Sequence, residues 1–247
     1  MARYKAVVEY DGTNYLGFQR QAQSPTVQGE LESAIAAIRG GGGGAVAGAG
    51  RTDSGVHALG QVIAFELDWP HPTDALARAL NANLPRAIAV RDVAECAAEF
   101  HPRFSARGRR YRYSIYSAPH RSPLRERFAW HVWPGLDVAA MQAAADSLLG
   151  RHDFAAFGTA PETGGHTVRT VREARWQAHA DGSMLDFYIE ADAFLYRMVR
   201  SIVGTLKQVG VGDMSPVEFA AMAAAGTRTG GLTLAPSKGL CLVDVIY

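Results

Sequence analysis

Gly50-Arg51-Thr52-Asp53-Ser54-Gly55-Val56-His57-Ala58 sets one carboxylate between an arginine and a glycine inside a glycine-rich turn. Gly40 to Gly44 lies upstream, and downstream Gln61-Val62-Ile63-Ala64-Phe65-Glu66-Leu67 alternates loosely enough to read as a strand. Asp53 is therefore expected on a loop held by regular structure. Reactive residues concentrate on such loops, and glycines there let a bulky ligand approach the backbone. An aspartate in a glycine-rich turn equally serves as an Asx-turn or cap that bonds its own backbone. The residue types alone leave both readings open.

Working outward, Tyr4 to Tyr10 reads as a first strand, closed by the turn Asp11-Gly12-Thr13-Asn14. Val27, Leu31, Ile35 and Ile38 recur at helical spacing after Thr26, a candidate N-cap, and before Gly40. A helix over Thr73 to Ala82 and a further strand complete a strand, helix, strand, helix, strand order. From Arg109 the pattern restarts, with a strand Tyr111 to Tyr116 and a helix Val138 to Leu149. Strands Val171 to Ala178 and Met184 to Ala191 follow, then a helix from Ala193 to Val209, another over Pro216 to Ala225, and a last strand Leu240 to Ile246. The fold class is α+β: two similar halves with mixed or antiparallel sheets and flanking helices, domains 1–105 and 106–247, the first carrying the Asp53 loop. The Gly40–Gly44 run reads as a flexible loop and not a phosphate cradle, because no Gly-Lys-Ser/Thr follows it.

A chain of 247 residues with 48% hydrophobic content can bury a substantial core. It has no run of 18 uncharged apolar residues, and Met1 to Ala6 lacks a signal-peptide pattern, so a soluble cytoplasmic protein without a membrane role is expected. Cys96 and Cys241 have no ligand spacing and read as small buried hydrophobes, with neither disulfide nor zinc site suggested. His152-Asp153 offers too few ligands for a metal. The net charge of +1 conceals an uneven distribution: from His101 to Trp130 there are eight arginines against one acid, Glu126. That segment also holds Phe104, Tyr111, Tyr113 and Tyr116. Arginines interleaved with aromatics offer phosphate contacts and base-stacking surfaces together, so RNA or single-stranded nucleic acid is the expected partner.

Gly50 to Ala58 resembles the GRTDxGVHA signature of the TruA family of tRNA pseudouridine synthases. Glu9 to Gln21 is similar to that family's YDGxxYxGWQxQ stretch, with Phe18 where Trp is common, though its rings would pack a core as readily as touch RNA. Arg109-Arg110-Tyr111-Arg112-Tyr113 resembles its second motif, Phe194 to Gly204 its FxxxMVRxxVG helix, and Ala235 to Tyr247 its C-terminal APxxGLxLxxVxY strand. On a helix Phe194, Met198 and Ile202 would form an apolar stripe, with Arg200 beside its edge. Cys241 replaces a frequent aromatic and Ser54 a frequent alanine.

The resemblance implies the pseudouridine synthase fold with an active-site cleft between the halves, and an isomerase acting on uridines 38, 39 and 40 in the anticodon arm of tRNA, without cofactor or metal. It implies a homodimer. It makes Asp53 the catalytic nucleophile, whether it attacks C1′, adds at C6 or acts as base at C2′. Tyr111 is then expected against the target base, Leu240 on the base's far side, Arg51 at the backbone or the vacated stack, and Arg200 paired with the aspartate, a neighbour that would keep it ionised. From the residues alone two rivals stand: an RNA-binding protein without catalysis, and a nucleoside hydrolase, the latter weakened because only one carboxylate sits in a site motif.

Overall fold

The computed structural model describes residues 1–22, 24–41, 44–160, 164–180, 182–227 and 233–247. In chain order its elements are β1 (Ala2–Tyr10), α1 (Val27–Arg39), β2 (Ala47–Gly48), β3 (His57–Leu67), α2 (Thr73–Asn83), β4 (Ile88–Glu95), β5 (Gly108–Tyr116), β6 (Trp130–His131), α3 (Val138–Asp146), β7 (Gly150–Asp153), β8 (Val168–Ala178), β9 (Met184–Ala191), α4 (Met198–Gly210), α5 (Pro216–Ala224) and β10 (Leu240–Ile246). The class is α+β. The chain divides into two compact units, Met1–Arg107 with Cys241–Tyr247, and Gly108–Leu240.

In the first unit the strand order is β4-β1-β3-β10. β1 is antiparallel to both β3 and β4, whereas β10 runs parallel to β3 through Cys241 opposite His57 and Leu242 opposite Ala58, so this sheet is mixed. α1 starts where Thr26 accepts from the Gly29 amide at 3.3 Å and ends at Gly40, whose φ of 78° is the left-handed conformation that glycine adopts without penalty. It buries Val27, Leu31, Ala34 and Ile35. α2 is fastened to β4 by one side chain: Asn81 accepts from Val90 N at 2.8 Å and donates to Val90 O at 2.7 Å. Of the Gly40–Gly44 run, Gly42 and Gly43 lie outside the described residues.

In the second unit the antiparallel order is β5-β9-β8-β7, with β6 added parallel to β5. Its core joins Phe154, Phe157 and Phe219 at centroid separations of 6.3 and 5.7 Å. Trp176 meets Phe187 at 4.8 Å on the sheet. α5 opens with a complete capping box between Ser215 and Glu218.

The largest departures from the sequence expectation are at the starts of β3 and α4, while β5, β8 and the end of α3 differ by three residues each. β3 begins at His57 rather than near Val62, so the Asp53 signature runs directly into a strand. Ala58-Leu59-Gly60 has no alternation to betray it, because Gly60 answers to another need: a Cβ there would sit 2.2 Å from the Val243 carbonyl oxygen of β10. α4 begins at Met198, not Ala193. Ala193 to Arg197 is held out of the helix by Asp192, whose carboxylate accepts from Thr170 N at 3.0 Å and Ala193 N at 2.7 Å, and by Tyr196 N donating to Thr159 O at 3.0 Å. Arg197 has a φ of 63°. The expected stripe therefore keeps Met198 and Ile202 but loses Phe194.

Candidate active site

In the first unit Asp53 lies, partly buried, on the expected loop, and the residues around it are braced on several sides. At the entrance, Gln61, fully buried on β3, donates to Gly50 O at 2.9 Å and accepts from Gly50 N at 3.3 Å. The Thr52 hydroxyl shares a buried 2.7 Å hydrogen bond with the Tyr10 hydroxyl, and the Thr52 carbonyl accepts from Phe18 N at 3.1 Å. The Ser54 hydroxyl and the Gly55 amide both donate to Tyr15 O, at 3.3 and 3.2 Å. A turn closes between Asp53 O and Val56 N at 3.1 Å. At the exit, His57 Nδ1 accepts from Gly12 N at 3.1 Å and lies 3.2 Å from Asp11 Oδ1.

The two early motifs thus interlock. Such closeness demands glycine: a Cβ on Gly12 would sit 2.0 Å from Val56 O, and one on Gly17, at φ +89°, would sit 2.6 Å from Thr52 O. Tyr15 and Phe18 are buried, Phe18 against Gly48 and 6.4 Å from the Tyr10 ring, so these rings pack into the first unit. Leu16 between them is 46% exposed, and Arg51 is exposed on the loop itself.

In the second unit the other candidates gather. Tyr111 on β5 is 8% exposed and meets Phe194 edge to face at 5.0 Å. Phe194, expelled from the helix, therefore supports this ring. Arg200 on α4 donates through Nε to Ala235 O at 2.8 Å, while its carbonyl accepts from Ala235 N at 3.1 Å. That double link fixes the segment leading to Leu240, which is buried. Tyr113, two residues from Tyr111 and fully buried, donates to Pro236 O at 2.8 Å. Its phenol is pushed well above its ordinary pKa by burial, against the opposing influence of the Arg200 charge. Gly239 packs on its ring, and Gly204 on α4 lets the Thr233 carbonyl pass where a Cβ would lie 1.8 Å away.

Sequence reading singled out Asp53, Arg51, Tyr111, Arg200 and Leu240 but assigned no role to the braces Tyr10, Gln61 and His57; in it Phe194 is part of a helix stripe and Tyr113 a strand-face partner of Tyr111. Tyr10, His57, Phe194 and Tyr113 lay within the quoted motifs; Gln61 lay just beyond. His152 and Asp153 are occupied locally: His152 Nε2 contacts Leu149 O, and the Asp153 carboxyl is held below its usual range by the Thr167 hydroxyl and the Ala155 amide. Among the described residues no group of three or more His, Cys, Asp or Glu is placed to hold a metal, and no helix is long and apolar enough to cross a membrane.

Residues 6–105 and 144–247 match the family model described as tRNA pseudouridine synthase. The chain is 45% identical over 247 residues to the tRNA pseudouridine synthase A of Syntrophotalea carbinolica, covering all of this chain and 97% of the relative. It is 41% identical to that of Geotalea uraniireducens over the whole of both chains, and 42% identical to that of Geobacillus kaustophilus over 99% and 94%. The chain belongs to the tRNA pseudouridine synthase family, a family of isomerases.

Proposed function

We propose that this protein isomerises uridine to pseudouridine at positions 38, 39 and 40 in the anticodon stem-loop of tRNA, with Asp53 as nucleophile. The reaction breaks the C1′–N1 bond, turns the uracil over and forms a C1′–C5 bond. The C5 proton leaves and N1 takes one up, so there is no net redox change. A single ionised carboxylate suffices, whether it attacks C1′, adds at C6 or acts as base at C2′. Tyr111 stacks on the flipped base and assists removal of the C5 proton, and Leu240 closes the base's other face. Arg51 and Arg200 complete the substrate-binding set, Arg51 at the RNA backbone and the position the base vacates. The protein works in the cytoplasm as a homodimer, its tRNA spanning both subunits.

The observation that carries this reading is the clamp on the Asp53 loop in a chain of this family. Thr52, Ser54 and Gly55 are all fixed to the segment Tyr10–Phe18, which holds the loop in one geometry relative to an incoming sugar. Tritium release from tRNA carrying [5-³H]uridine tests it. Release by the wild type, absent from Asp53→Ala, is the expected result; tRNA binding without release by either protein refutes it, and free uracil would signal a hydrolase.

A further inference from the structure

The eight arginines between His101 and Trp130 do not form one surface. Arg109 donates to Asp192 O at 3.0 Å, and Arg110 pairs with Glu190 at 2.6 Å and Glu173 at 3.3 Å, so both are committed to holding the sheet of the second unit. Arg112 shares their strand and is half-buried. A different set, Arg121, Arg125 and Arg127, is exposed on the connection Ser117–Ala129 between β5 and β6.

This connection is ordered by its own bonds. Ser122 N donates to the Tyr116 hydroxyl at 3.0 Å, Arg125 N and Glu126 N donate to Ser122 O at 3.1 and 2.9 Å, and Phe128 N donates to Arg125 O at 3.0 Å. His131, stacked on Tyr116 at 4.7 Å, reaches back to Ala118 O at 2.8 Å. The loop's single acid, Glu126, faces Lys238 at 3.7 Å. Lys238 stands two residues before Leu240, so the same ion pair that offsets the acid ties the loop to the segment that carries a proposed base-binding residue.

We propose that Ser117–Ala129 is a phosphate-binding grip for the RNA backbone, built around Arg121, Arg125 and Arg127, distinct from the groups that handle the target base. It rests on the reading of this protein as a tRNA-modifying enzyme. Charge favours RNA over a protein partner: the exposed groups are three guanidiniums, that of Arg125 also donating through Nη1 to Ser183 Oγ at 2.9 Å, while the acid that would repel phosphate is turned to Lys238. Phe128, 49% exposed beneath the Arg127 guanidinium at 5.8 Å, adds an aromatic face of the kind that RNA-binding surfaces use.

Binding of a phosphate by an arginine releases counterions, so the test is the salt dependence of binding of a fluorescently labelled, unmodified tRNA transcript. Arg121→Gln/Arg125→Gln/Arg127→Gln should flatten the plot of log Kd against log salt by about 0.7–0.9 for every phosphate no longer neutralised, roughly two to three overall. KM should rise by one to two orders of magnitude at low salt, on the order expected from those slopes, with kcat changed far less. Arg121→Gln alone, at an exposed position, should remove about one such step, which guards against misfolding of the triple variant. Glu126→Gln should tighten binding. Wild-type turnover with an unaltered salt slope in both arginine variants overturns the grip while leaving the enzymatic reading intact; so does an unaltered slope accompanied by a change in oligomeric state, which would make the loop a self-association surface. A wild type that binds tRNA without tritium release refutes the enzymatic reading instead.

Discussion

The loop around Asp53 and the segment that ends at Leu240 are held by different physics. The first is fixed by polar bonds delivered across the chain: the Tyr10 hydroxyl, the Tyr15 carbonyl, the Gln61 amide and the Gly12 amide each hold a residue within four positions of the aspartate. The second is fixed chiefly by shape. Gly204 admits the Thr233 backbone to α4 and Gly239 admits the Tyr113 ring, and polar links from Arg200, Gln208, the Tyr113 hydroxyl and the Glu126–Lys238 pair add to that fit. A reacting carboxylate needs direction, which hydrogen bonds supply; a surface that closes on a flat base needs position, which packing supplies.

The largest effect expected is abolition of turnover in Asp53→Ala, with tRNA binding retained in a gel-shift measurement. Gly12→Ala and Gly204→Ala come next, each pushing a Cβ into backbone at a cost of about 3 kcal/mol, the upper part of the range for overpacking. Urea midpoints check the cost. Activity of the folded fraction checks the comparison: Gly12→Ala should act on kcat and Gly204→Ala on KM, and identical effects on both constants would break the distinction. Tyr10→Phe should cost about 1–3 kcal/mol by stranding the buried Thr52 hydroxyl, and lower kcat with little change in KM.

Tyr113→Phe is milder, about 1 kcal/mol at neutral pH for one hydrogen bond. Its sign with pH is the sharper test. Burial raises the folded-state phenol above its unfolded value near 10, so the stability attached to the neutral form is fully present below pH ~10 and declines at higher pH. Wild-type stability should fall above that point more steeply than that of Tyr113→Phe, as thermal melts across the alkaline range would record. Ser215→Ala, which removes the cap on α5, should cost about 1 kcal/mol and leave kcat and KM alone.

What the sequence made legible was what local rules govern. α1 could be read from Thr26, its spaced apolar residues and Gly40, because cap, period and stop all lie within one short stretch. The start of α4 could not, since Arg197 in the left-handed region and the Asp192 bonds that hold Ala193 outside the helix depend on a partner strand. The early part of β3 was hidden for a similar reason: Gly60 reads as a break yet marks where β10 passes. Asp53 was found through its resemblance, not through its residue type, which suited a turn equally well. The bonds from Tyr10 to Thr52 and from Gly12 to His57 span 42 and 45 residues, a separation at which periodicity carries no signal.

The chain leaves the first unit at Arg107 and rejoins it at Cys241, where β10 completes the sheet beside the very strand that follows the Asp53 loop. During synthesis the aspartate and all its braces emerge early, but the neighbour of His57 and Ala58 emerges only after the whole of the second unit. A nascent chain therefore carries its reactive loop on an unfinished sheet edge until the second unit has been made, and a ribosome that stalls within that unit yields a product with the whole signature but without the strand that pairs with His57 and Ala58.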